Sequence, residues 1–268
     1  MSSLQHYLSV CQLENQKVYM CLDINHAILD AHSRGIIMRD LQTTYSEDAL
    51  NLHTAQFKEF IFYLEQQPQE EARRYRAEYL DGTKPCCFPS MVSAREELRS
   101  CRMVQVPALE ASAIRLACQA WEITPATVIK TAWALVLSRH TGSTTPCFGN
   151  LISGRDLPIT DVNEIFGSLI TMPTCRVHLS DKTVLEVLRS VQNDYVNSLS
   201  YQTYPIASMR KMLGLKTSTL FNTSVNLQRM NDMGRLGASG VDIDFYSHDD
   251  LSPDEVSWRP YIAVRYCG

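Results

Sequence analysis

The stretch KVYMCLDINHAILDAHS, residues 17–33, decides the fold, because a strand pattern changes here into a loop and then into a helix. Apolar side chains occupy every second position of its first half: Val18, Met20, Leu22 and Ile24. This period of two predicts a half-buried β-strand. Ser33 is a residue type that often precedes a helix, so we predict that it caps the helix that follows.

The loop after this strand carries His26, Asp30 and His32 within seven positions. An unperturbed imidazole has a pKa of about 6.5, which suits a general base near neutral pH. Asp30 could orient the loop or pair with an arginine. From spacing alone, three interpretations of His26 remain open: a catalytic base, a metal ligand together with Asp30 and His32, or a core histidine with a satisfied hydrogen bond.

The composition outside this stretch excludes several classes of protein. The 268 residues are 45% hydrophobic and 20% charged, which is typical of a soluble globular protein. The net charge of −4 argues against a nucleic-acid partner, and no run of eighteen apolar residues predicts a membrane span. Nine cysteines, none in a CxxC pair, predict reduced thiols in a cytoplasmic protein without a zinc site. No secretory signal precedes residue 17.

The rest of the chain mixes helices and strands, which predicts an α/β class with mixed sheets. Residues 54–80 are predicted to be helical, and DGTKPCCFPS after them predicts a linker or crossover. A clear helix begins at the Thr124 cap with Pro125 in its first turn and ends before Gly142. Apolar residues cover most of its circumference, so we expect it to be buried on all sides.

The segment INHAILDAHS resembles the HHxxxDG active-site motif of condensation domains in nonribosomal peptide synthetases. The SHxxxDxxS form of fungal terminal, cyclising condensation domains is more similar still. In this comparison His26 matches the second histidine, Asp30 the aspartate and Ser33 the final serine. Asn25 stands where the first histidine or serine would be, and Ala31 replaces the glycine.

Five further segments resemble the same family and occur in the family's order. They are YLDGTKPCCFP, PCFGNLISGRDLP, IFGSLITMPTCRV, YQTYPIASMRKMLGL and LFNTSVNLQ. The resemblance implies a chloramphenicol acetyltransferase-like fold of two lobes with a tunnel between them. Residues 1–85 would hold the remainder of the N-terminal lobe with the histidine motif and crossover. Residues 86–268 would form a C-terminal lobe lacking its last elements, so we expect a condensation domain shortened at both ends.

The resemblance also implies a function. It predicts an acyltransferase of secondary metabolism that forms an amide bond, or cyclises a carrier-bound thioester, with His26 as the base or positioning residue. Asp30 would hold the loop in shape by pairing with Arg155 of SGRD. Reversing both charges is then expected to restore soluble expression that either single reversal loses. Ser153, Gly167 and Asn222 are predicted to line the substrate tunnel.

The implied partners are carrier proteins that present substrates as phosphopantetheine thioesters, together with other synthetase polypeptides. No cofactor would be bound permanently, and no metal is expected. Two alternatives remain open at this stage. One is a non-catalytic module that docks on a carrier or synthetase, and the other is an inactive remnant of a synthetase.

Overall fold

The protein is described by a computed structural model. It describes residues 6–12, 18–45, 49–50, 55–89, 111–215, 219–230, 236–238, 241–243 and 261–267. The side chains of residues 18, 26, 45, 111, 228–230, 236–238, 241–243 and 261–267 lie outside that description.

The described chain contains both helices and strands. They are β1 (His6–Gln12), β2 (Val18–Ile24), a 3-10 helix (His26–Ile28), α1 (Ala31–Tyr45), α2 (Phe57–Glu65), α3 (Gln69–Tyr79), α4 (Ala111–Trp121), α5 (Pro125–Thr141), β3 (Cys147–Leu151), a 3-10 helix (Val162–Glu164), β4 (Thr174–Arg176), α6 (Val184–Ser198), a 3-10 helix (Leu199–Tyr201), α7 (Ile206–Met212), β5 (Ser224–Met230), β6 (Leu236–Ala238), β7 (Val241–Ile243) and β8 (Tyr261–Cys267). The predicted α/β class with mixed sheets is confirmed.

The chain divides into two compact units, and each combines segments that are distant in sequence. The first comprises Met1–Gln67, Ser153–Ile170 and Gly234–Asp244, and the remaining segments form the second. The lobes at residues 1–85 and 86–268 stay a prediction. Among the described residues, no helix is long and apolar enough to cross a membrane.

The first unit contains an antiparallel hairpin of β1 and β2, in which Leu8 faces Leu22 and Val10 faces Met20. The prediction that β2 is half-buried is wrong, because Met20 is 48% exposed and its neighbour Val10 is 64% exposed. No described element covers this apolar face. The strand β1 was not predicted from the sequence.

The core of the first unit forms where α2 packs on the segment around residues 157–169. Its buried members are Ala55, Phe60, Leu157, Val162, Ile165 and Leu169. The single helix predicted for residues 54–80 is wrong, since α2 ends at Glu65 and α3 begins at Gln69. Pro68 stands directly before α3, and a proline disfavours helical backbone in the residue before it.

The second unit is built on a four-stranded sheet in the order β4-β3-β5-β8. The strands β3 and β4 are antiparallel, whereas β5 is parallel to both β3 and β8. The strand β5 lies between β3 and β8, and Val225 and Asn226, which point to opposite faces, are both buried. The core of this unit includes Leu137 of α5, Phe148 of β3 and Val187 of α6.

The helix α5 begins and ends as predicted. The Thr124 hydroxyl accepts the Thr127 N–H at 3.3 Å, and Gly142 ends the helix in a left-handed conformation. The expectation of burial on all sides is wrong, because Leu135 is 50% exposed while Lys130 is buried. The Lys130 ammonium lies 4.1 Å from the centre of the Tyr195 ring, which gives the buried cation a favourable contact.

Candidate active site

The turn that carries His26 follows β2 directly and is shaped by Asn25. The Asn25 side-chain oxygen accepts the Ala27 N–H at 2.9 Å, and its carbonyl accepts the Ile28 N–H at 3.0 Å. These two bonds close the 3-10 turn His26–Ile28. The backbone of His26 is thereby held at a fixed point, while its side chain lies outside the described structure.

Asp30 caps the helix α1. Its carboxylate accepts the Ser33 N–H at 2.7 Å, and its carbonyl accepts the Arg34 N–H at 3.0 Å. A side-chain oxygen bonded to the N–H three residues later defines an N-cap. The prediction that Ser33 caps this helix is therefore wrong. Ser33 lies within the first turn of α1, and Asp30 takes the capping role.

The ion pair predicted between Asp30 and Arg155 is present and buried. One terminal nitrogen of Arg155, Nη2, donates to both Asp30 oxygens at 3.1 and 2.9 Å. The side chains of Arg155 and Asp30 are 6% and 3% exposed. The Arg155 Nη1 group donates to the carbonyls of Val162 and Ile165 at 2.9 and 2.6 Å. Arg155 thus joins the histidine-motif loop to the segment around residues 162–167.

Ser33 makes a second link between α1 and this segment. Its hydroxyl donates to the Gly167 carbonyl at 2.8 Å and accepts the Gly167 N–H at 3.0 Å. Arg155 Nη2 also donates to the Ser33 hydroxyl at 3.2 Å and to the Gly167 carbonyl at 3.0 Å. The three residues form one buried polar network that leaves little freedom to either loop.

The network keeps Asp30 ionised. Burial alone would raise the pKa of the Asp30 carboxyl. Hydrogen bonds from Ser33, Arg155 and the Leu169 N–H outweigh burial and hold this pKa below its usual range. The Leu169 N–H lies 3.2 Å from the carboxylate. Since both oxygens already accept several donors, Asp30 is a structural anion and a poor proton acceptor.

Two glycines let the backbone approach closely in this network. Gly154 has φ +66°, and a side chain added there would collide with the Leu169 carbonyl. Gly167 has φ +148°, and a side chain added there would collide with the ring of Phe57 on α2. The close packing at both positions explains why the SGRD and FGSL segments need glycine.

The side chains of Ser153 and Asn222, two further predicted site residues, hydrogen bond to main-chain groups. The Ser153 hydroxyl accepts the Arg155 N–H at 3.3 Å, which shapes the SGRD turn. In the second unit, the Asn222 amide accepts the Phe88 N–H at 2.7 Å and donates to the Phe88 carbonyl at 2.9 Å. The tunnel roles of Ser153, Gly167 and Asn222 stay predictions.

Sequence reasoning missed several groups that complete this site. The carbonyls of Val162 and Ile165 and the N–H of Leu169 are main-chain groups, so no residue type identifies them. A second, exposed ion pair joins Arg39 of α1 to Glu164, with oxygen distances of 3.1 and 2.7 Å. Arg39 and Glu164 are oppositely charged but 125 positions apart, and no motif connects them.

The described residues contain no group of three histidine, cysteine, aspartate or glutamate side chains that could hold a metal ion. His32, which the metal interpretation included, instead places its Nε2 atom 2.8 Å from the Asn163 carbonyl. What the site offers chemically is a histidine on a turn closed by hydrogen bonds, next to the buried Asp30–Arg155 ion pair.

The sequence profile of the condensation domain matches residues 4–250, which is most of the chain. The chain belongs to the condensation domain family. Among proteins with similar sequences, it is 38% identical over 259 residues to the nonribosomal peptide synthetase dtxS1 of Metarhizium robertsii, and 29% identical over 263 residues to the nonribosomal peptide synthetase atnA of Emericella nidulans. These alignments cover 95% and 97% of the chain but only 3% and 4% of the two synthetases.

Solved structures agree with the condensation-domain fold. The holo T3CT crystal structure matches with a TM-score of 0.63 and 23% identity, covering 84% of this chain and 51% of that one. The SgcC5 protein from Streptomyces globisporus matches with a TM-score of 0.67 and 16% identity, covering 87% and 56%. The chloramphenicol acetyltransferase-like fold is confirmed. The chain spans about half the length of these structures.

Proposed function

We propose that this chain catalyses condensation-type acyl transfer, in which a thioester is converted into an amide and His26 handles the proton. An amine held on a second substrate gives intermolecular condensation, and an amine on the same acyl chain gives cyclisation. The observation that carries the proposal is the saturated hydrogen bonding of Asp30. Because Asp30 cannot act as a base, His26 is the group of the matched motif that can titrate near neutral pH.

In the proposed reaction, the amine nitrogen attacks the thioester carbonyl carbon. The carbon–sulfur bond breaks, and the sulfur leaves as a thiolate. The attacking nitrogen loses one proton, which His26 accepts and which then neutralises the thiolate. The products are an amide and a free thiol, so no oxidant, metal or ATP is consumed. Proton transfer of this kind contributes about 10²–10⁴-fold to a rate.

The network around Asp30 supports this role by restricting the turn that contains His26. Asn25 closes that turn on one side, and Asp30 fixes it on the other through Arg155 and Ser33. A base is most effective when its backbone does not move between turnovers. Asn25 and Ser33 are therefore positioning residues in the proposal, as are Asp30 and Arg155.

The proposed substrates are acyl groups carried as thioesters on the phosphopantetheine arm of a carrier protein, and this arm arrives with the substrate. A carrier protein and further synthetase polypeptides are the proposed partners. We also propose a cytoplasmic setting. The seven cysteines that the structure describes all carry free thiols, as expected in a reducing compartment.

A test uses the 268-residue chain with an aminoacyl pantetheine thioester and an amino acid thioester as the amine. Amide formation is followed by mass spectrometry for the wild-type chain, for His26→Ala and for His178→Ala. His178 is exposed and lies in the second unit, so it is the matched control. The proposal expects product from the wild type and the control but not from His26→Ala. Equal rates for all three proteins and for buffer alone would contradict it and favour a docking module.

A further inference from the structure

Two cysteines lie side by side in the core of the second unit. Cys86 lies in the segment after α3, which forms a parallel bridge to Phe221, and Cys147 opens β3. The Cys86 N–H and the Cys147 thiol both donate to the Leu220 carbonyl, at 2.8 and 3.7 Å. The Cys147 thiol also lies 3.8 Å from the carbonyl of Lys84, two residues before Cys86. Cys86 is 1% exposed and Cys147 is fully buried.

The two sulfurs differ in acidity. The neighbouring Cys147 thiol lowers the pKa of the Cys86 thiol to about 6, although burial opposes this, and the Thr141 hydroxyl 3.8 Å away helps. The neighbouring Cys86 thiol and burial raise the pKa of the Cys147 thiol far above its usual range. A thiolate is the reactive form of cysteine, so Cys86 is the sulfur that reacts first with an oxidant, and Cys147 is the adjacent thiol that can follow once it gives up its proton.

We propose that Cys86 and Cys147 form an intramolecular disulfide when the protein is exposed to a peroxide. The Cys86 thiolate attacks one peroxide oxygen, the oxygen–oxygen bond breaks, and Cys86 becomes a sulfenic acid while hydroxide leaves. The Cys147 thiol then transfers its proton to the sulfenic oxygen as its sulfur attacks the Cys86 sulfur, and that oxygen leaves as water. Two thiols lose two electrons and two protons, and one hydrogen peroxide becomes two waters.

Cys86 lies in a segment at the surface, which gives the peroxide a route. The flanking residues Lys84, Pro85 and Cys87 are exposed, although Cys86 itself is buried. The contacts that hold this segment include the Cys86 N–H bond to Leu220, the Cys87 thiol bond to the Thr219 carbonyl and the Asn222 clamp on Phe88. Local opening of this segment would let the peroxide reach Cys86.

The disulfide would tie the segment after α3 to β3. Because these residues are far apart in sequence, the cross-link restricts the unfolded chain strongly and should stabilise the second unit. The proposal concerns this unit alone and does not depend on the proposed acyl transfer.

The experiment uses the Cys87→Ser variant, which removes the adjacent thiol and makes the peptide assignment unambiguous. The folded, reduced protein is treated with hydrogen peroxide, blocked with iodoacetamide in urea and digested. We expect a cross-linked peptide joining Cys86 to Cys147 with the loss of two hydrogens, and its disappearance after dithiothreitol. The oxidised protein should unfold at a higher urea concentration when followed by tryptophan fluorescence.

Two further variants keep the test decisive. Cys118→Ser removes a buried thiol from a separate cluster, and the cross-link should still form. Cys147→Ser removes the second sulfur, so Cys86 should stop at the sulfenic acid, which dimedone labels. The proposal is overturned if Cys86 and Cys147 both remain fully alkylated after peroxide treatment. A disulfide from Cys86 to any other cysteine, with Cys147 still free, would overturn it as well.

Discussion

Replacing Asp30 with alanine should destabilise the first unit strongly. The change removes both oxygens that accept from Arg155, at 3.1 and 2.9 Å, and leaves the guanidinium buried without a counterion. It also removes the acceptor for the Ser33 and Leu169 N–H groups. Removing one partner of a buried ion pair lowers the free energy of unfolding by about 3–5 kcal/mol. With a urea m-value of about 3 kcal/mol per M, the midpoint falls by about 1–2 M.

The assay must report on the first unit. Trp121 and Trp133 lie in the second unit, so their fluorescence is insensitive to local loss of the Asp30 network. Far-ultraviolet circular dichroism follows α1 and α2 as well as the other helices. Amide hydrogen exchange adds a local measurement, because the Ser33 and Leu169 amides lose their acceptor. Both should exchange faster in Asp30→Ala while the amides of β3 keep their rates.

Arg39→Ala is the matched control. Arg39 and Glu164 join α1 to the same segment, but their side chains are 49% and 38% exposed. An exposed pair contributes about 0.2–1 kcal/mol. The reasoning is refuted if Asp30→Ala shifts the urea midpoint no more than Arg39→Ala does, or if the Leu169 amide keeps its protection.

Three further results are expected. The pKa of Asp30 is lower in the folded protein than in the unfolded chain. Its contribution to stability should therefore be complete above the unfolded pKa of about 3.9 and should be lost as the pH falls through the folded pKa. Acid unfolding of the wild type and of Asp30→Ala measures this difference. Gly154→Ala should lower the free energy of unfolding, measured by urea denaturation, more than Gly82→Ala does. Both glycines have φ +66°, but only the methyl group added at position 154 would meet the Leu169 carbonyl. Thr124→Ala should cost about 1 kcal/mol in thermal unfolding, because α5 loses its cap.

Each of these has an outcome that would contradict it. Equal acid midpoints for the wild type and Asp30→Ala would show that the network does not depend on the charge. Equal losses for the two glycine variants would show that the segment holding Leu169 moves away without cost. An unchanged melting temperature for Thr124→Ala would show that the α5 cap adds nothing.

The charge-reversal rescue expected from the sequence should succeed only in part. Asp30→Arg combined with Arg155→Asp restores opposite charges, but an arginine at position 30 cannot accept the Ser33 and Leu169 N–H groups. The double variant should therefore be more stable than either single variant and less stable than the wild type. Full recovery would mean that the pair acts only through its charges.

The sequence predicted the Asp30–Arg155 pair because two charged residues stood in two matched motifs. It misassigned the cap of α1 because Asp30 and Ser33 are both good capping residues, three positions apart, and composition does not say which one precedes the helix. The carbonyls that surround Arg155 could not be predicted, since every residue type carries one. Side-chain identity informs on charge and polarity, whereas main-chain acceptors depend on the folded path of the chain.

The errors in burial have a related cause. Alternation in β2 and the apolar surface of α5 show which side chains can be buried, but burial also needs a neighbouring element. Leu135 and Met20 are exposed because no described element covers them. Lys130 is buried because the Tyr195 ring lies beside its ammonium, a contact between helices that neither local sequence reveals.

The central claim is that His26 accepts the proton released when an amine converts a thioester into an amide. Its most direct test is the ratio of amide-forming rates for the wild-type chain and His26→Ala with the same pantetheine thioester and amine. The account predicts that His26→Ala lowers the amide-forming rate about 10²–10⁴-fold. The exchange rates of the Ser33 and Leu169 amides, which bond to Asp30, should stay unchanged. A ratio near one, with the network intact, would contradict the role of His26.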